Sequence, residues 1–511
     1  MNTEFRFQDM FVLDLANNHN GDVQHALRII RGVGEVVARR KVRAALKFQF
    51  RQLDTFVHPA HKEQSPYKYP KRFIDTRLSN ADFARLAAEV TSLGMITMAT
   101  PFDEESVDVI EDMGLDVIKI ASCSATDWPL LKRVADANKP VIVSTGGLSW
   151  KEIGDLVSFF DHRRVHFAIM HCVSIYPTPP ELLQLNQITQ LKERYPGRVI
   201  GFSTHEDPDA LSPVQVALAK GAEMFERHVG LQSDTQELNG YSSTPDQIDK
   251  WIEAALVAKS LCGADQRLPP LDVELKSLDG LKRGVYANKD LKEGVSVEDA
   301  DVYFAMPCEP GQLTSGEYGQ NLFNQGVSTV APIKKDGPLM KDQLKLPADL
   351  EKQVLYTAIH QMKSMLNEAR VALPADFETE FSHHYGIAEF SRVGATLITV
   401  VNRSYCKKII IQTPGQRHPS HHHRKKEESF FVLRGVLEMI IDGRRRTLHP
   451  GDTVLVQQGV WHEFWTDSGV IFEELSTTDL VGDSFYEDKR INKMKREERK
   501  TRVNHWGLAQ I

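Results

Sequence analysis

One feature constrains the fold of this chain more than any other: an alternation that repeats eight times before residue 262. Short β-rich apolar runs (FVLDLA, AALKFQF, MITMAT, DVIKIAS, PVIVST, HFAIMHC, RVIGFST, MFERHV) are separated by helix-length amphipathic stretches such as ADFARLAAEVTSLG and SPVQVALAKGA. Near-continuous apolar strands alternating with helices imply a parallel sheet covered by helices. Eight such units in about 250 residues have the size of a (β/α)8 barrel. A doubly wound open sheet is the alternative, but the first strand lacks the Gly-rich turn that such a fold usually carries. The expected fold class is α/β, with a TIM barrel over residues 1–270.

At 511 residues the chain is too long for a single core. Two segments within 276–346, VYANKDLKEGVSVEDADV and STVAPIKKDGPLMKDQL, repeat a strand, a Lys-x-Gly turn and an acidic stop. They predict a small pseudo-symmetric β-domain. Residues 347–372 carry apolar side chains at helical spacing (Val354, Leu355, Ala358, Ile359, Met362, Met365, Leu366), the pattern of a helix that links two domains or packs a dimer. Residues 373–480 read as an all-β barrel, and 481–511 as a basic, solvated helical tail. A net charge of -7 gives no reason to expect nucleic acid, and no apolar run is long enough to span a bilayer. The N-terminus does not read as a signal peptide. Five scattered cysteines read as reduced thiols, so a cytoplasmic location is expected.

In a barrel of this type, reactive groups lie at the C-terminal strand ends. Those positions hold Asp14, Lys47 with Gln49, Thr100, Lys119 with Ser122, Ser144, His171 through Tyr176, Ser203 with His205, and His228. A lone buried Lys or Asp is usually a paired structural residue. Polar groups at every strand end argue instead for a site built by the whole barrel. Two lysines with several hydroxyls suit a small polyanion carrying phosphate and carboxylate. His205 and His228, on consecutive strand ends, are candidates for one divalent metal.

The motifs NNHNGD (17–22), KFQ (47–49), TPFD (100–103), KIAS (119–122), STGG (144–147), HCVSIYPTP (171–179), GFSTH (201–205) and ERHV (226–229) resemble the sialic acid synthase (NeuB-like) family. The resemblance covers the barrel and extends over 276–346, which is similar to the antifreeze-like SAF domain of that family. It implies condensation of phosphoenolpyruvate with an open-chain sugar. Lys47, Thr100, Lys119, Ser122, Ser144, Ser174 and Ser203 would hold phosphoenolpyruvate, and His205 and His228 would bind a metal, Mn2+. Asp14, Lys47, Gln49, Lys119 and Tyr176 form the implied catalytic set, with Gln49, Tyr176, Asn239 and Glu309 on the acceptor sugar. The family also implies a homodimer whose SAF domain covers the partner's active site. The departures concern the sugar side. Asp14 replaces the family's Glu, Cys123-Ser124 a Gly-Glu, Ser174 an Asn, and Asn239-Gly240 an Asp-His. Glu309-Pro310-Gly311 aligns with an Arg-Pro-Gly. An Arg-to-Glu reversal cannot recognise the same group, so an aldose other than N-acetylmannosamine is expected.

The stretch HPSHHHRKKEESFFVLRG (418–435) raises a separate question: solvated patch or metal site. Gly415, His421, His423, Glu428 and Gly435 follow the spacing of the first cupin motif, and Gly451, Gly459 and His462 that of the second. A solvated patch has no reason to keep those offsets. Three imidazoles and a carboxylate suit Zn, Fe, Mn or Ni. His418 and His422 fall outside the pattern and are expected to be exposed. The neighbourhood resembles sugar-handling cupins, including mannose-phosphate and lyxose isomerases. Such a domain could bind a sugar as a regulatory module or isomerise it. A cupin isomerase beside a vestigial barrel, and a non-catalytic sugar sensor, are the competing readings.

Overall fold

The computed structural model describes residues 5–63, 65–232, 237–264, 267–320, 327–345, 351–375 and 377–503. The chain divides into two compact units, one up to Leu268 and one from Pro269. Among the described residues no helix is long and apolar enough to cross a membrane.

The first unit is a closed parallel barrel in strand order β1 to β8. The strands are β1 Met10–Asp14, β2 Arg43–Phe50, β3 Ile96–Pro101, β4 Val117–Ile120, β5 Val141–Ser144, β6 Phe167–Cys172, β7 Ile200–Thr204 and β8 Met224–His228. All eight are those expected from the apolar runs. Alternation along each strand sorts the side chains. Outward residues such as Leu46, Phe48, Ile118, Ile169 and Phe225 join the apolar shell shared with the helices. Inward residues Met10, Val12, Ala45, Met98, Val117, Ile142, Ala168, Met170 and Met224 fill the lower barrel. One inward step further up, the same strands carry Asp14, Lys47, Thr100, Lys119, Ser144, Cys172 and Glu226, all buried. The polar layer therefore rests on an apolar floor. Parallel register places Asp14 beside both Lys47 and His228.

In the second unit, residues 284–320 and 327–345 form two small sheets around Val285, Ala287, Leu313, Val327 and Leu339. Its two pseudo-repeats meet in a reciprocal backbone pair: Leu291 N donates to Ile333 O (2.8 Å) and Ile333 N to Leu291 O (2.9 Å). Farther on lies a sandwich of a seven-stranded and a five-stranded sheet. Phe430, Val432, Met439, Phe464 and Phe472 form one of its apolar clusters.

Two expectations change here. The helix Glu351–Glu368 is no free linker: Leu355, Ala358, Ile359, Met362 and Leu366 pack with Phe381, Ile398, Ile409, Ile411 and Ile471 of the larger sheet. Both faces of that sheet are apolar, so one needs a cover. Residues 346–350 at the helix entrance, and 504–511 of the tail, lie outside the described residues. Nor is the basic tail a solvated helix. Ser484–Tyr486 pairs with Arg417–His423, and Lys500–Val503 completes the larger sheet beside Glu378–Ser382. Two short helices, Lys489–Lys493 and Arg496–Arg499, connect those strands. The charges that suggested a solvated helix meet one largely enclosed carboxylate: Arg496 NH2 lies 2.8 Å from Glu380 Oε2, and Lys500 Nζ pairs with Glu380 Oε1.

Candidate active site and metal centre

The barrel's polar layer is an ion-pair network. Lys47 Nζ lies 2.7 Å from Glu226 Oε1 and 3.0 Å from Asp14 Oδ2, and Lys119 Nζ lies 3.2 Å from Glu226 Oε2. Burial disfavours every charge here, so the pairs decide the protonation states. For Lys47, Asp14 and Glu226 overcome the burial penalty and raise the pKa. For Lys119, burial prevails, aided by repulsion from Lys47, and lowers it. Glu226 is held well below the usual carboxylate range: burial opposes this, but Lys119 and Lys47 outweigh it.

Hydroxyls surround the two ammonium groups. Lys119 Nζ donates to Ser144 Oγ at 2.7 Å, and Gly146 N donates to Ser122 Oγ at 3.0 Å. A Cβ at Gly146 would collide with Ser174 Oγ and Ser122 Oγ, so glycine there lets two serines and a backbone N–H converge. Thr100 Oγ1 is buried with no hydrogen-bond partner. Ser203 is buried at the end of β7.

Gln49 Nε2 donates to Asp14 Oδ2 at 3.3 Å. His205 Nδ1 sits 3.1 Å from Val173 O, which assigns its proton to that nitrogen and leaves Nε2 as an electron-pair donor. His228 Nε2 lies 3.4 Å from Asp14 Oδ2, and burial lowers its pKa, which favours the neutral ring. The two imidazoles have centroids 5.3 Å apart. Two imidazoles with a carboxylate at hand fit a divalent cation. Tyr176 is half-exposed and packs on His205, with centroids 4.2 Å apart. Asn239 Nδ2 donates to Asn18 Oδ1 at 3.1 Å, at the rim. Glu309 belongs to the second unit, where its N–H donates to Gln312 Oε1 at 2.7 Å.

In the second unit, potential ligand atoms of His421, His423, Glu428 and His462 all lie within 4.8 Å of one another, and all four residues are buried. His421 and His423 sit two apart on one strand and therefore share a face; His462 is directly opposite His421 on the neighbouring strand. Each imidazole turns Nδ1 to a backbone carbonyl: Pro419 O (3.0 Å), Asp483 O (2.9 Å) and Val460 O (3.1 Å) respectively. That orients all three Nε2 atoms inward, with Nε2 of His423 and His462 at 3.4 and 3.2 Å from Glu428. Such anchoring is the usual outer support of histidine ligands. Glu428 Oε2 and His462 Nε2 are buried without hydrogen bonds, so the donor set fits a divalent metal. Lys426 Nζ holds Glu428 (2.5 Å) and Glu474 (3.0 Å), inside a cavity of about 90 Å³ that Lys408, Arg496 and Lys500 also line.

Residues 37–267 match the model of the NeuB family, and 409–476 that of the cupin domain. A solved structure from Chromobacterium violaceum, described as a spore coat polysaccharide biosynthesis protein E, is 42% identical, with a TM-score of 0.63. The match covers 66% of this chain and 100% of that one. The chain belongs to the NeuB family. The N-acetylneuraminate-9-phosphate synthase of Drosophila melanogaster is 27% identical, over 65% of this chain and 95% of its own. The pseudaminic acid synthase of Campylobacter jejuni is 27% identical, over 58% and 86%.

For this NeuB-family chain, sequence reading missed Glu226, although it lies inside the quoted ERHV. The available signal was period two: Glu226 precedes His228 by two residues on β8 and must share its inward face. Arg227, between them, faces outward and pairs with Glu206 at 2.9 Å. Sequence reading also misplaced two histidines. His418 is buried, stacked on Phe464 (4.6 Å) beside His384 and His421. His422 points the other way, against Trp461 (4.5 Å) and Phe485 (5.3 Å), and is shielded by both. His418 thus lies on the covered face of the strand and His422 on a half-buried one, which a local count of histidines cannot reveal.

Proposed function

We propose that the barrel condenses phosphoenolpyruvate with an open-chain aldose, giving a nonulosonic (2-keto-3-deoxy) sugar acid and phosphate. One observation carries this reading: two buried ammonium groups share one carboxylate beneath a ring of hydroxyls that includes an unpartnered Thr100 Oγ1. Two fixed ammonium groups beside converging hydroxyl donors suit a carboxylate-bearing phosphate ester.

In this reading Lys47, Lys119, Thr100, Ser122, Ser144, Ser174 and Ser203 bind phosphoenolpyruvate. His205 and His228 hold a divalent ion, Mn2+, which when bound supplies a Lewis acid for the aldehyde carbonyl. Gln49, Tyr176 and Asn239 position the aldose, and Asp14, between Lys47 and His228, orients both. Carbon 3 of the enol attacks the aldehyde carbon, and the former carbonyl oxygen takes a proton. Water adds at carbon 2, and the resulting tetrahedral centre expels phosphate as its C–O bond breaks. Lys47 and Lys119 offset the growing charge on carboxylate and phosphate.

The cupin site, with His421, His423, Glu428 and His462 as ligands to Zn, Fe, Mn or Ni, serves in this reading as a sugar-binding regulatory module. Sugar isomerisation there is the second reading, favoured by the cavity that His421, His423 and Glu428 share with Lys426, Lys408 and Tyr486. Residues 276–346 act as an SAF domain in a cytoplasmic homodimer, with Glu309 facing the partner's acceptor. The test is phosphate release from phosphoenolpyruvate with a panel of aldoses and Mn2+, with products read by mass spectrometry. Release with an aldose, and a product heavier by the added three-carbon acid, supports condensation. Absence of release with every aldose removes it.

A further inference from the structure

Arg51 follows β2 directly, four residues after Lys47. Its guanidinium is sandwiched between two aromatic rings, 3.9 Å from the Phe73 centroid and 3.6 Å from that of Phe102. NH2 donates to Gln49 Oε1 at 3.1 Å, while Nε is buried with no hydrogen-bond partner. Arg51 forms no ion pair with a carboxylate among the described residues. The same unit shows how this fold treats a structural buried arginine. Arg227, whose Nε is likewise without a partner, has the carboxylate of Glu206 at 2.9 Å and accepting carbonyls at Pro208 and Asp207 (each 3.1 Å), so the difference lies in the counter-ion.

A cation stacked on rings is stabilised, but stacking does not replace a counter-ion once water is excluded. Burial lowers the Arg51 pKa to about 10, against a weaker opposing pull from Cys123, Asp14 and Asp103. Arg72, next to the stacking Phe73, adds to its positive surroundings. Arg72 and Lys68, on the helix Lys68–Asp75, also form no ion pair among the described residues. Both line a cavity of about 490 Å³ with Asn18, Asn20 and Asn239, together with Glu237 and the Lys71–Asp75 pair. Asn239 is a proposed acceptor contact, and Gln49, which Arg51 holds, is another. Arg51, Arg72 and Lys68, none of them in an ion pair among the described residues, thus stand beside the proposed acceptor contacts Gln49 and Asn239.

We propose that Arg51, backed by Arg72 and Lys68, receives a second negative charge that arrives on the acceptor: the aldose carries a carboxylate or a phosphate ester remote from its aldehyde. The planar guanidinium, fixed between two rings, is preorganised for a two-pronged contact with such a group. The proposal rests on the condensation reading.

The experiment compares neutral aldoses with the corresponding uronates and terminal aldose phosphates, using full-length protein, Mn2+ and phosphoenolpyruvate. Wild type is expected to prefer one anionic series, and that series identifies carboxylate or phosphate. R51Q should lower kcat/KM for the preferred anionic acceptor by about 10- to 100-fold, while changing that for the neutral aldose and the KM for phosphoenolpyruvate less than about threefold. R51K should retain part of the preference. R72Q, at a less buried site, should weaken the preference even if R51Q folds poorly. Equal or better use of neutral aldoses by wild type overturns the proposal and leaves condensation standing. So does an R51Q effect confined to the phosphoenolpyruvate KM. Absence of phosphate release with any acceptor removes the condensation reading itself, and this proposal with it.

Discussion

Replacing Glu226 by Gln keeps the volume and one acceptor but removes the charge shared by Lys47 and Lys119. The ion pairs at 2.7 and 3.2 Å correspond to about 6 and about 5 kcal/mol of attraction at an effective dielectric of about 20. Most of that offsets the cost of burying the carboxylate, so the net loss is smaller. Breaking a buried pair by removing one partner typically costs about 3–5 kcal/mol, because the surviving charge stays buried. Asp14 remains to hold Lys47, at 3.0 Å, so the lower half of that range is expected. The assay is urea unfolding of full-length wild type and E226Q, with and without inorganic phosphate. The variant should lose about 3 kcal/mol, and phosphate should restore more stability to it than to wild type, because the freed ammonium groups bind an anion. The pH dependence follows in sign. The folded-state pKa of Glu226 is depressed, so its contribution is complete above about pH 4.3 and is lost as pH falls below that. E226Q should lack this part of the acid sensitivity. A variant within about 0.5 kcal/mol of wild type at neutral pH, with no added response to phosphate, would refute the paired-lysine account.

H205A and H228A should each abolish Mn2+-dependent condensation in folded protein, and turnover retained in both after chelation and Mn2+ repletion removes the barrel metal. H421A/H423A, which deletes two of the four cupin ligands, should strip the second metal, as elemental analysis would show, and leave condensation largely intact. Loss of condensation in that folded variant would assign the cupin metal to the barrel reaction. K500M, which leaves the largely enclosed Glu380 with fewer counter-ions, should destabilise the cupin unit by about 1–3 kcal/mol, whereas a solvated tail would give no change in urea unfolding. N-acetylmannosamine should be a poor acceptor, slower by about one to two decades than the best aldose; comparable rates contradict the altered sugar side.

Much of this protein is legible locally. The barrel strands follow from apolar runs bounded by turns, because a strand buried on both faces has little choice of composition. The strand-end residues follow as well, since period two carries an inward apolar residue such as Met98 to an inward polar one, Thr100, two positions later. The candidate cupin ligands follow from the same rule, with His421 and His423 on one face of one strand. What stayed hidden depended on closure. Glu226 meets Lys47 across 179 residues only because β8 returns to β1. The helix Glu351–Glu368 and the strand Lys500–Val503 read as linker and tail until the sheet they complete is present. Arg51 is enclosed only by Phe73 and Phe102, which come from separate segments of the chain. Local periodicity decides which face a residue occupies. Which charges share a dielectric, and which are left without a partner, is settled by contacts between distant segments.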